Sequence, residues 1–99
     1  MTDGDAHREL LATRPKLAAK TKLRLDPKTG KHILLYPEKG LLLNPTGAAI
    51  LKHCTGAHTL SEIVSLLSAE FQTAAETLEP EVLAFVRGLF DRGLLQAAS

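Results

Sequence analysis

Ninety-nine residues, 44% of them hydrophobic and only 4% aromatic, make one small domain whose core is filled by Leu and Ala rather than by rings. No run of about 20 apolar residues is present, which excludes a membrane-spanning helix, and the polar opening from Met1 to Glu9 lacks the apolar stretch of a secretory signal. The net charge of +1 is split: residues 1–31 hold eight Lys and Arg against four Asp and Glu, and residues 32–99 hold four against seven.

Residues 1–14 show no stable periodicity and are expected to be a mobile N-terminal tail. Pro15 opens the domain proper, expected to run over 15–97 as a single unit. Lys22-Leu23-Arg24-Leu25 alternates polar and apolar, the period of a half-buried strand. Asp26-Pro27-Lys28-Thr29-Gly30 is a turn, with Pro27 presetting φ and Gly30 permitting φ > 0. His32–Tyr36 reads as the second strand. Pro37-Glu38-Lys39-Gly40 turns into a third, Leu41–Leu43, and three strands joined by short turns make an antiparallel meander.

The second half reads as helical. Asn44-Pro45 pairs an N-cap residue with Pro at the first helical position; this helix runs to about Cys54, and Gly56 stops it. Thr59-Leu60-Ser61-Glu62 is a capping box. It opens a helix whose apolar face is Leu60, Ile63, Val64, Leu67 and Phe71. Residues 72–77 form a polar link. A third helix is expected from near Pro80, with Val82, Phe85, Val86, Leu89 and Phe90 as its stripe and Gly93 as its end. Leu94 and Leu95 fold back onto the core.

The expected fold is therefore α+β: a three-stranded antiparallel sheet followed by three helices, similar to a winged helix-turn-helix. In a meander the third strand keeps one row of N–H and C=O groups free. Leu41–Leu43 lacks the Lys, Pro or bulge that blunts an edge, so it is either covered or a binding site.

These residues carry a family resemblance. Leu34-Leu35-Tyr36-Pro37-Glu38, then Leu43-Asn44, Ile50-Leu51, Gly56 and Val82 through Leu89 resemble the PqqD family over about residues 15–96. The loop Cys54-Thr55-Gly56-Ala57-His58-Thr59 departs from the family pattern, which has an acidic residue before the Gly and a basic one near His58. The resemblance implies a peptide chaperone in pyrroloquinoline quinone (PQQ) biosynthesis, a RiPP recognition element. Such a protein binds the precursor peptide PqqA and presents it to the radical S-adenosylmethionine enzyme PqqE. It also implies that the peptide adds as a strand beside Leu41, Leu42, Leu43 and Asn44, in a groove closed by the last helix. Phe85, Val86 and Leu89 are then the lining candidates, although each also fits an ordinary core position.

Catalysis finds no support: there is no phosphate loop, no Cys-x-x-Cys and no nucleophile elbow, and no cofactor is expected. His53, Cys54 and His58 are the nearest thing to a metal cluster, but adjacent helical residues point about 100° apart. The alternative is a winged-helix nucleic-acid-binding or general protein-interaction domain. Its helices offer Ser61, Glu62, Ser65, Ser68, Glu70, Glu79, Glu81, Arg87, Asp91 and Arg92, which form no basic stripe for phosphate. No nucleic-acid or membrane partner is expected. The single Cys54 fits a reducing cytosol, so a cytoplasmic setting is expected, and the apolar edge predicts a weak homodimer when no peptide is bound.

Overall fold

The structure, a computed structural model, describes residues 3–37 and 39–98. In chain order the elements are α1 (Asp3–Ala12), β1 (Pro15–Leu17), β2 (Lys22–Leu25), β3 (His32–Tyr36), β4 (Lys39–Leu42), α2 (Pro45–Lys52), α3 (Leu60–Phe71), α4 (Ala75–Asp91) and β5 (Leu95–Ala97). Met1 and Thr2 of the expected tail, and Glu38 of the expected turn, lie outside the described residues.

The expected meander is present as an antiparallel sheet of order β2-β3-β4, but its third strand is Lys39–Leu42 rather than Leu41–Leu43, because Lys39 and Gly40, expected in the turn, pair with Tyr36 and Leu35. Leu34 pairs with Leu23 on one side and Leu41 on the other. These three share the face turned to the helices, since side chains alternate along a strand. Leu34 is wholly buried, and Leu23 and Leu41 pack against the same core. The turn between β2 and β3 is closed by Asp26, whose carboxylate accepts from the Lys28 N–H at 3.1 Å and the Thr29 hydroxyl at 3.0 Å. Gly30 follows at φ 73°.

The helices differ from the sequence expectation at their ends. Helix α2 stops at Lys52 with His53 as its C-cap. Gly56 lies beyond it in a loop pinned to the N-terminal segment: its N–H donates to the Pro15 carbonyl at 3.0 Å, and the Arg14 guanidinium donates to the Ala57 carbonyl at 2.7 Å. Gly56 has φ 86°, and a Cβ there would sit 3.0 Å from Ala98 Cβ, so glycine is required. Helix α3 opens with both bonds of the Thr59–Glu62 capping box and buries Leu60, Ile63, Val64 and Leu67. Phe71, expected on that face, is partly exposed. Helix α4 begins at Ala75 rather than near Pro80, and absorbs part of the expected link. Leu78 lies one turn before Val82 and is buried with it, so tertiary packing extends the helix through the proline. Pro80 is exposed, and the Glu76 carbonyl that loses its donor sits in the first turn, where water can serve it.

Three elements, α1, β1 and β5, have no counterpart in the sequence reading. The segment expected to be a structureless tail contains α1, which packs on α3 and α4 and brings Leu10 and Leu11 against the core. Leu94 and Leu95 are buried as expected, but Leu95 also belongs to β5, which pairs antiparallel with β1. This two-stranded sheet joins the segment after α1 to the C-terminal end of the described chain.

The Thr59 backbone N–H, and then its hydroxyl, hold the Glu62 carboxyl below the usual glutamate range. Its folded pKa being the lower, its contribution is present above the unfolded value and lost as pH falls through the folded one. Urea unfolding at neutral and acid pH should show a smaller acid loss for Glu62→Gln than for the parent. Thr59→Ala should cost about 1 kcal/mol at neutral pH.

Candidate functional site

The edge of β4 is shaped by its register. Leu43 N–H donates to the His32 carbonyl at 2.9 Å. In an antiparallel ladder the bonded pairs alternate, so Leu34–Leu41 and Tyr36–Lys39 are bonded in the same way. The backbone groups of Gly40 and Leu42 then point away from β3, along a free edge with no further strand beside it among the described residues. The next outward residue, Asn44, ends the ledge. Its carbonyl accepts from Ala48 N–H at 3.0 Å, and its Oδ1 accepts from Gly47 N–H at 2.7 Å.

The side chains divide by the same alternation. Leu41 is half-buried toward the core and Leu43 is buried, while Leu42 points to the opposite face and is 54% exposed. Gly40 shares that outer face, where a Cβ would meet Ile33 Cγ2 at 3.3 Å and Leu35 Cδ2 at 3.4 Å.

Helix α4 is tied to the elements at either end of this ledge, α2 and β3. The Phe85 ring lies 3.2 Å from where a Cβ on Gly47 would sit, one turn into α2. At the other end the Arg92 guanidinium donates to the Tyr36 hydroxyl at 3.4 Å, beside the Tyr36–Lys39 pair. The helix therefore runs opposite to β4. Phe85 is partly exposed; Val86 and Leu89 are buried and serve as core. Of the expected residues Leu42 is exposed on the outer face of the open edge, and Phe85 is half-buried on the helix side. Leu41, Leu43, Val86 and Leu89 support that edge from within, and Asn44 closes its end.

Sequence reasoning did not single out Gly40, whose backbone shares the free edge, or Arg92, which reaches Tyr36. Gly40 was findable, because it shares parity with Leu42. Arg92 follows Phe85 at a helical spacing of seven, but only the packing shows which flank of α4 faces the sheet.

The other candidate regions are elsewhere. His53 Nε2 stands 3.4 Å from Glu70 Oε1, and the His53 and His58 rings meet edge-on at 6.1 Å. Cys54 is buried and its thiol donates to the Ile50 carbonyl. Among the described residues no three His, Cys, Asp or Glu are placed to hold a metal ion. A cleft along α3 is lined by His58, Ser61, Glu62, Ser65, Leu66 and Ala69. Helix α3 itself carries no Lys or Arg, so it offers nothing to phosphate. No helix among the described residues is long and apolar enough to cross a membrane.

Comparison with known proteins bears on the same fold. Residues 31–95 match the family model described as "Coenzyme PQQ synthesis protein D (PqqD)". A protein of Rhodopseudomonas palustris named "PqqA binding protein" is 31% identical over 88% of this chain and 85% of its own length. The "Bifunctional coenzyme PQQ synthesis protein C/D" of Methylorubrum extorquens is 30% identical over 83% of this chain, which spans only 22% of that longer protein. The solution structure of the PqqD truncation of Methylobacterium extorquens PqqCD superposes with a TM-score of 0.72. It is 30% identical and the match covers 83% of this chain and 87% of that one. It is described as a functional, stand-alone recognition element for ribosomally synthesized and post-translationally modified peptides.

Burial pushes the Cys54 thiol up to about 12. The native protein should therefore be nearly inert to a disulfide reagent at pH 8 and react fully once unfolded in denaturant, as read by absorbance of the released chromophore.

Proposed function

The chain belongs to the PqqD family, and from that premise we propose that it binds a PqqA-type precursor peptide as an added strand on the outer edge of β4. It does no chemistry on the peptide; it presents it, in the cytosol, to a radical S-adenosylmethionine enzyme of the PqqE kind. The observation that carries this reading is the free edge at Gly40 and Leu42, flanked by a helix that leaves it open. The relatives named for PqqA binding support the choice of partner.

Gly40 and Leu42 together offer two N–H donors and two C=O acceptors. Four hydrogen bonds at about 1 kcal/mol each fall short of the roughly 8 kcal/mol of a micromolar complex. Apolar contact supplies the rest, and the exposed Leu42 and the half-buried Phe85 are placed to give it, one on each face of the added strand.

The test exploits the alternation of the ladder. Leu42→Pro removes an outward N–H and spares every bond to β3, so the fold should persist by circular dichroism. Binding of synthetic PqqA should weaken by about tenfold or more. Amide exchange should slow at Gly40 and Leu42 when peptide is added, while Leu41 and Leu43 are already protected. The peptide's mass should be unchanged after incubation. Undiminished binding by Leu42→Pro, with protection appearing along α3 instead, would refute strand addition here.

The same edge favours self-pairing when no peptide is present, because two antiparallel edges are self-complementary. Sedimentation should show a weak, concentration-dependent dimer that PqqA dissolves.

A further inference from the structure

Gly88 stands in the interior of α4, three residues after Phe85 and four before Arg92. Those spacings put all three on one flank of the helix, the flank that Phe85 ties to Gly47 and Arg92 ties to Tyr36. The fold gives no reason for a glycine there. Gly88 has no positive φ, and a Cβ built on it meets nothing within 4 Å. Compare Gly47, where an added Cβ would meet the Phe85 ring at 3.2 Å, and Gly56, where φ and Ala98 both forbid one. A glycine inside a helix weakens it relative to alanine, and here it leaves the flank between Phe85 and Arg92 without a side chain.

We propose that Gly88 is the size-determining position of the peptide groove: the bound strand drops a bulky side chain over it, between Phe85 and Arg92. This rests on the reading of β4 as the peptide ledge. A strand added at Gly40 and Leu42 continues the pleat of the sheet. Every second side chain then faces the helix layer, and the others lie beside Leu42. Between Phe85 and the Arg92 guanidinium, Gly88 leaves that flank with no side chain and nothing within 4 Å of where a Cβ would sit, which is room for a helix-facing side chain. The peptide this chain takes therefore carries a large apolar or aromatic residue at that register.

Gly88→Ala and Gly88→Leu test this because stability and binding move in opposite directions. Nothing crowds the site, so Gly88→Ala should raise Tm by about 4 °C. Affinity for synthetic PqqA, by calorimetry, should fall about tenfold for Gly88→Ala and about a hundredfold for Gly88→Leu. Arg87→Ala, on the opposite flank beside Glu9 and Thr13, should bind as the parent does. An alanine scan of PqqA should find one bulky residue whose truncation weakens binding to the parent and has little further effect on Gly88→Leu. Parent-like binding by both Gly88 variants would overturn the size-determining role and leave the ledge standing. Failure of the parent to bind PqqA would overturn both.

Discussion

The pairing of Leu34 with Leu41 governs the rest of the molecule. Leu34 is wholly buried and sits between Leu23 and Leu41 across the sheet. In a strand the direction of the side chain and the direction of the backbone N–H both repeat every two residues. Burying Leu41 toward the helices therefore also turns its N–H and C=O toward β3. Leu42 and Gly40 are left facing outward with both groups free. A slip of one residue would reverse both assignments together, burying Leu42 and exposing the core leucines. Core burial and edge presentation are thus one constraint, and the hydrophobic core holds the open edge in register.

The second wall of the groove depends on the length of α4. Its buried residues Leu78, Val82, Leu83, Val86 and Leu89 commit one face to the core. The helix reaches the start of α2 at Phe85 and the far end of β3 at Arg92, so it spans the ledge. On its other side α4 is packed by α3 and α1. Those contacts fix which flank turns toward the hairpin, the one on which Phe85 meets Gly47 and Arg92 meets Tyr36.

The parts legible in the sequence were those with a strong local period or a local cap. Lys22–Leu25 alternates, Asn44-Pro45 announces a helix, and Thr59–Glu62 closes its own capping box, as the structure shows. The parts that were not legible depend on distant partners. Pro15–Leu17 is too short to show a period and becomes a strand only because Leu95–Ala97 returns beside it. Pro80 looked like a helix start because proline usually is one, yet Leu78 is drawn into the core and carries the helix back to Ala75. The site divided in the same way. The exposed edge could be inferred from Leu41–Leu43, and a core role for at least two of Phe85, Val86 and Leu89 from their stripe, whereas which two are core required knowing what packs on each side of α4.

The two edges of the sheet show how the chain treats a strand it leaves bare. On β2 the bond from Asp26 N–H to the Lys31 carbonyl sets the alternation, so Leu23 and Leu25 turn their backbone outward. Leu25 is even more exposed than Leu42, at 58%. But Lys22 and Arg24 alternate with those leucines, and charged side chains along an edge oppose pairing with another strand. On β4 the corresponding positions read Lys39, Gly40, Leu41, Leu42, with a single charge at the start. The groove then departs from local preference three times within one short stretch of surface: a glycine inside a strand, an exposed leucine on an open edge, and a glycine inside a helix with nothing beside it. Each is unfavourable for the isolated fold. Departures of this kind gather where a sequence answers to something besides its own stability. Here two of them lie on the open edge of β4 and the third on the flank of α4 that carries Phe85 and Arg92, while the opposite edge of the same sheet keeps its charges.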